Sequence, residues 1–193
     1  MAEGFLFEMP AVSLQEQREE LRRTIEERCE MAALLLNKHE KPGVAWCHLN
    51  DEGKMLEKMI SGAVEVSGSD CDEKKEEAFR GFADGSIRVL VSKPSIAGFG
   101  LNWQHCAHMS FFPSHSYEQF YQSVRRCWRF GQKKPVTVDV ISTEGQRRVF
   151  ENLRRKSEAA EKMFGQLVEL MQNELKIVKV NKCTKKESVP SWL

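Results

Sequence analysis

The stretch HMSFFPSHSYEQFYQSVRRCWRFGQKKPVTVDVIS, residues 108–142, decides the fold. It begins and ends on short apolar runs, HMSFF (108–112) and VTVDVIS (136–142), each of strand length. Between them, Ser116-Tyr117-Glu118-Gln119 has the spacing of a capping box, which predicts a helix over about 117–130. Gly131 is placed to end that helix, because glycine takes the left-handed conformation at no steric cost. Strand, helix and strand in this order make a βαβ unit, so the two strands are expected to lie parallel.

The same alternation extends towards the N-terminus. GVAWCHL (43–49), AVEVSG (63–68) and IRVLVS (87–92) read as three more buried strands. Asn50-Asp51 can open a short helix carrying Leu56, Met59 and Ile60, and Asp72 a charged helix with Ala78, Phe79 and Phe82 inward. SIAGFGLNW (95–103) reads as a glycine-containing loop. Ser13 and Glu16 form another capping box. Leu14, Leu21, Ile25, Ala32 and Leu36 then predict one helix over about 14–38. A long helix is expected over about 145–175, with Met163, Phe164, Leu167, Leu170 and Met171 as its packing face. The fold class is therefore α/β, a mostly parallel sheet with helices on both faces. Residues 1–12 read as a connector, 13–180 as one domain and 181–193 as a polar tail. Ligands of open α/β sheets sit beyond the carboxyl ends of the strands, which assigns the loops at 48–51, 67–70, 92–103 and 112–116 to one functional edge.

Composition sets limits on function. The 193 residues are 41% hydrophobic and 30% charged, a globular mixture, and the net charge is +1. No global charge demands an acidic partner, so any nucleic-acid binding must come from local clusters. The six cysteines show no paired spacing, and neither a secretory leader nor an apolar run of membrane-spanning length is present. Reduced thiols and a cytoplasmic location are the expectation. His105-Cys106-Ala107-His108 has no second ligand pair to complete it, so no metal site is expected.

On the helix of the opening stretch, Gln122, Arg126 and Arg129 fall at i, i+4 and i+7 and should share one polar stripe. Phe120, Val124 and Trp128 form a second stripe, expected to be the core face. Guanidinium groups grip phosphate oxygens as planar forks, so two on one stripe suit a polyphosphate. The alternative is a solvated basic face at a helix C-terminus, where the macrodipole favours cations. Lys133 and Lys134 read as a solvated turn, and Trp46 and Trp103 as core.

Two segments, SIAGFGLNWQHC (95–106) and QSVRRCWRFGQKKPVTVDVI (122–141), resemble the second RecA-like lobe of superfamily-two helicases. The similarity is greatest to the Swi/Snf-type DNA-dependent ATPases, particularly compact phage and prophage helicases. Ala97-Gly98-Phe99-Gly100-Leu101-Asn102-Trp103 is similar to motif V, A-G-G-x-G-L-N-L. Gln122, Arg126, Arg129, Gly131 and Gln132 match motif VI, Q-x-x-x-R-x-x-R-x-G-Q, at every specified position. Arg125 stands where the Swi/Snf branch commonly has an acid, and no G-x-x-x-x-G-K-[ST] or D-E-x-H sequence is present.

The resemblance implies a RecA-like lobe that completes an ATP site shared with an N-terminal lobe, in cis or in trans. That first lobe would hold most of the ATP and Mg²⁺. Arg129 would be the arginine finger, Arg126 a second phosphate or interlobe contact, and Gln122 their polar partner. Gly98 and Gly100 would let the motif V backbone approach the nucleotide, and Asn102 would hold that loop. DNA, bound without sequence preference, would meet Ser92, Lys93, Ser95, Ser67, Ser69, His48 and Asn50; for the serines, ordinary turn chemistry is the alternative. The function implied is the C-terminal half of an ATP-dependent DNA helicase or translocase in a bacterial or phage-infected cell. The other reading is a stand-alone nucleic-acid or protein binding module without ATP chemistry.

Overall fold

The computed structural model describes residues 14–97 and 101–178. The connector 1–12, Ser13, Gly98, Gly100 and the tail 181–193 lie outside the described residues. Strands form where apolar runs are expected: β1 (Gly43–Trp46), β2 (Ala63–Val66), β3 (Val89–Ser92), β4 (His108–Phe111) and β5 (Thr137–Val140). Helices α1 (Leu14–Arg23), α2 (Ile25–Asn37), α3 (Asn50–Met59), α4 (Asp72–Asp84), α5 (Pro94–Ala97), α6 (Tyr117–Cys127) and α7 (Arg147–Val178) connect and flank them. Every strand pair is parallel, in the order β2-β3-β1-β4-β5.

Alternation along the strands builds two cores. Ala45, Cys47, Val89 and Val91 pack against Cys29, Ala32 and Leu36 of α2, Leu56 of α3 and Ile60 just after it. Val44, Trp46, Leu90, Met109 and Phe111 face the other way, onto Ala78 and Phe82 of α4, Trp103, and Cys127 of α6. Both faces are covered, which is why the central strands read as unbroken apolar runs. Trp46 and Trp103 are core, their ring centroids 6.1 Å apart.

Several boundaries differ from expectation, each for a visible reason. The first long helix is two, broken at Thr24, where φ is −105° and ψ is 15°. The Thr24 hydroxyl donates to Glu20 O at 2.7 Å, a back-bond that bends helices. Helix α3 starts behind Leu49, and the acceptor at its start is the Glu52 carboxylate rather than Asn50 or Asp51. A helical turn, α5, replaces the first part of the expected 95–103 loop.

Helix α6 stops at Cys127 because its last carbonyls are taken by a neighbouring segment. Trp103 N donates to Arg126 O at 2.8 Å, and Gln132 Nε2 donates to Cys127 O at 3.2 Å. Those acceptors would otherwise serve a further helical turn. Trp128 caps the helix with ψ 86°, so Arg129 lies beyond it. Gly131 does adopt a positive φ of 93°, in the turn that follows.

The chain divides into two compact units, one ending at Arg154 and the other beginning at Arg155, within α7. In the second unit Met163, Phe164 and Leu167, expected to pack, are exposed; Leu170 and Met171 have side chains outside those described. Periodicity identifies an apolar face, which is not the same as a partner for it. Among the described residues no helix is long and apolar enough to cross a membrane.

Candidate phosphate-binding turn and strand-end surface

The expected site residues fall on two separate surfaces. All strands run the same way, so the loops after β1, β2 and β3 open at the carboxyl edge of the sheet. Helix α6 begins after β4 at that edge and runs back across the sheet. Its 11 residues, at about 1.5 Å rise each, carry the turn at 128–132 about 16 Å towards the opposite edge.

The turn is held tightly. Gln132 Nε2 lies 2.9 Å from Gln104 O, 3.0 Å from Cys106 O and 3.2 Å from Cys127 O, three carbonyls that share its two N–H donors. Gln104 Nε2 donates in return to Phe130 O, and Gln132 N donates to Arg129 O at 3.0 Å. The 101–106 segment and the end of α6 are therefore one hydrogen-bonded body. Gln104 is not legible as a site residue in the sequence, since a lone glutamine carries no pattern.

Within this body the two motif arginines differ. Arg126 is 6% exposed. Its Nε donates to Gln122 O at 3.0 Å, Nη1 to Leu101 O at 2.8 Å and Nη2 to Gln122 Oε1 at 3.2 Å. Burial, then the charge of Arg129, lowers its pKa. Arg126, expected as a second phosphate or interlobe contact, is turned inward and anchors the 101–106 segment through Leu101 O, with Gln122 as its other acceptor. Arg129 is exposed, and its guanidinium makes no hydrogen bond among the described residues. The single stripe expected for Gln122, Arg126 and Arg129 does not form, because the helix ends before Arg129.

The expected core stripe also breaks. Phe120 and Val124 pack inward, but Trp128 is 55% exposed, with the Arg125 guanidinium 5.4 Å from its ring centroid. Phe130 is 100% exposed. Asn102 is exposed without a hydrogen bond among the described residues and lines a shallow groove with Phe79, Arg80 and Trp103.

At the carboxyl edge, Lys93 Nζ donates to Asn50 Oδ1 at 2.6 Å, bringing the ends of β3 and β1 together. Ser95 is exposed on α5. Ser67 and Ser69 meet through their hydroxyls at 3.0 Å, and Ser67 N donates to Asp70 Oδ2 at 2.7 Å. The Lys74 hydrogen bond and that amide hold the Asp70 pKa down. Ser92 and His48, expected on this surface, are turned inward. Ser92 is buried and donates to Val66 O at 3.0 Å. His48 Nε2 lies 2.8 Å from Phe112 O, an acceptor that fixes the Nε2–H tautomer. Burial lowers the His48 pKa.

Beneath this edge lies an ion pair that no motif announces. Arg28 Nη2 stands 2.7 Å from Glu52 Oε1, with the two side chains 1% and 0% exposed. The contact is an ion pair without an aligned hydrogen bond. Glu52 Oε2 accepts from His48 N at 2.8 Å and Leu49 N at 2.9 Å, so the carboxylate shapes the loop that carries Asn50. Arg28 also lies over the Phe112 ring, 4.7 Å from its centroid.

His108 and Cys106 have protein partners: His108 Nε2 pairs with Asp139 Oδ2 at 2.7 Å, and Cys106 Sγ donates to His108 O at 3.2 Å. Among the described residues no three His, Cys, Asp or Glu side chains gather as a metal site.

The fold has solved counterparts. The fold is a RecA-like lobe. It is similar to the C-terminal part of the Fun30 ATPase domain, with TM-score 0.53 and 16% identity over 72% of this chain and 44% of that one. It is similar to the C-terminal domain of the DEAD-box protein Dbp5, with TM-score 0.56 and 10% identity over 68% and 78%. It is also similar to T4 UvsW, with TM-score 0.58 and 16% identity over 77% and 35%. The chain thus spans less than half of the first and third of these structures. No protein-family model and no curated protein matches the sequence.

Proposed function

We propose that this lobe is the C-terminal half of an ATP-dependent DNA helicase or translocase. Within that class, the similarity of motifs V and VI favours the Swi/Snf-type, phage-like branch, although Arg125 departs from it, and the unpaired cysteine spacing favours a cytoplasmic setting. The observation that carries the proposal is the division of labour between the two motif arginines. Arg126 is consumed in holding the turn, which leaves Arg129 as an exposed guanidinium on a rigid support. A fixed cation with no internal partner among the described residues suits charge that develops on a transferring phosphoryl group.

ATP and Mg²⁺ would be held mainly by an N-terminal lobe supplied in cis or in trans; on this chain the group that fits the phosphates is Arg129. DNA would cross the carboxyl edge of the sheet, about 16 Å away by the length of α6, meeting Lys93, Asn50, Ser95, Ser67 and Ser69. Ser92 and His48 would act from behind, through the strand ends they hold.

ATP turnover stimulated by DNA tests the reading. The chain alone should hydrolyse ATP negligibly, and a matching N-terminal lobe should restore turnover. Arg129→Ala should then lower the rate by about 10³- to 10⁵-fold with an unchanged thermal midpoint. DNA-stimulated turnover by the chain alone, or a reconstituted Arg129→Ala enzyme of normal rate, would refute it. Lys93→Ala should reduce the salt slope of DNA binding by about one.

A further inference from the structure

We propose that Trp128 and Phe130 form a nucleobase subsite beside Arg129, so that the 128–132 turn meets both the base and the phosphates of one nucleotide. The inference rests on the reading of Arg129 as a phosphate contact and adds what the flanking rings do.

Three observations lead to it. Trp128 and Phe130 are 55% and 100% exposed, although both are large aromatics at the end of a packed helix. The turn that displays them is not loose: Gln132, Gln104 and Gly131 fix it by the hydrogen bonds and the positive φ described above. With the backbone of the turn already fixed, only the rotamers of the rings remain to be ordered when a ligand arrives. The run of sequence that carries the rings is also of one sign. Between Glu118 and Asp139 there is no acidic residue, while Arg125, Arg126, Arg129, Lys133 and Lys134 are all cationic.

Exposed rings beside cations complement a ligand that is flat and apolar at one end and anionic at the other. A nucleotide has that form: its base stacks on an aromatic face and its phosphates meet guanidinium. The Arg125 guanidinium lies over one face of Trp128, 5.4 Å from the ring centroid, and leaves the other face for a base. A single-stranded nucleic acid shares this chemistry, but the surface proposed for DNA is at the other end of α6. The observations therefore favour a free nucleotide.

The experiment is a titration of the full chain, followed by the indole N–H signal of Trp128 and by heat. The ligands are ATP, inorganic tripolyphosphate and a short oligothymidylate. ATP should bind roughly 5- to 150-fold more tightly than tripolyphosphate, the range that stacking one base supplies. Phe130→Leu, which keeps bulk without a ring, should bring that ratio towards about one, and Phe130→Tyr should preserve it. Arg129→Ala should weaken both ATP and tripolyphosphate.

The Phe130 side chain is fully exposed, so these variants should keep the parental thermal midpoint. Equal affinity for ATP and tripolyphosphate, or a ratio indifferent to the rings, overturns the base subsite. If Arg129→Ala still weakens both ligands, the phosphate reading survives. Failure of the parent chain to take up either ligand overturns the base subsite, while the phosphate reading is still decided by Arg129→Ala in the reconstituted two-lobe enzyme. Ring-dependent binding of oligothymidylate without ATP makes a single strand the occupant and also overturns the proposal.

Discussion

Replacing Glu52 by glutamine should be among the most costly single changes available in this chain. Glu52 and Arg28 are 0% and 1% exposed, and the carboxylate is the anion that faces the guanidinium, at 2.7 Å. Removing one member of a buried pair strands the other, at a cost of about 3–5 kcal/mol. The lower end applies here. Arg28 keeps Leu21 O at 2.6 Å, the Thr24 hydroxyl at 3.2 Å and the Phe112 ring. The carboxamide oxygen of the Glu52→Gln variant can also still accept one backbone N–H from the 48–49 loop. A loss of about 3 kcal/mol should lower the thermal midpoint by about 6–12 °C in a chain of this size. Denaturant melts supply the free energy, with unchanged m-values as the check that both states are still the same. The cycle is closed by Arg28→Met combined with Glu52→Gln. Once no charge is buried, the pair should recover at least about 1 kcal/mol over Glu52→Gln alone. A loss below about 1 kcal/mol in Glu52→Gln, or strict additivity in the double variant, would refute the reasoning.

His48 gives the stability a pH dependence. Burial holds its pKa below the ordinary 6.5, so below that pH the unfolded chain takes up a proton that the folded one refuses. Stability should fall between about pH 7.5 and about pH 5.5, and His48→Gln should flatten the fall in urea midpoints measured over that range. Burial lowers the pKa of His105 as well, so part of the slope should remain. Among the described cysteines only Cys71 is exposed, and burial pushes the Cys29 thiol up to about 12. Cys71→Ser should therefore remove one fast-reacting thiol per native chain in a thiol-disulfide exchange assay. Gly131→Ala should cost about 1 kcal/mol or more in a denaturant melt, because φ is 93° and an added methyl would stand 3.1 Å from Gln104 Nε2.

The sheet is legible in the sequence because parallel strands covered on both faces leave a simple trace: short apolar runs at regular intervals, with helical periodicity between them. Val89, Leu90 and Val91 are that trace at one strand, and all three are buried. Helix ends are less legible, since they depend on who takes the last carbonyls. Nothing local to 122–134 reports that Trp103 N and Gln132 Nε2 will claim the acceptors of Arg126 and Cys127. The helix read from the sequence therefore runs about three residues too far, and it puts Trp128 inward on a turn the helix does not make. Glu52 is hidden for a similar reason: its ion partner is 24 positions away, on a helix that reads only as amphipathic.

The carbonyls that end α6 also decide what motif VI can do. Had the helix continued, Arg129 would lie one turn above Arg126 on a common face, and both guanidinium groups would share one environment. Ending the helix at Cys127 separates them: Arg126 is drawn under the turn to Leu101 O, and Arg129 is released above it. The same event turns Trp128 and Phe130 outward. One hydrogen-bonded staple between the 101–106 segment and the end of α6 thus produces the buried anchor, the free cation and the exposed rings together. A change that loosens the staple, such as Gln132→Ala, should disturb all three at once. The expected result is weakened tripolyphosphate binding and a lost preference for ATP from a residue whose amide faces three backbone carbonyls and no ligand. If Gln132→Ala lowers stability but leaves both affinities intact, the turn does not depend on the staple, and presentation of Arg129 must come from the helix itself.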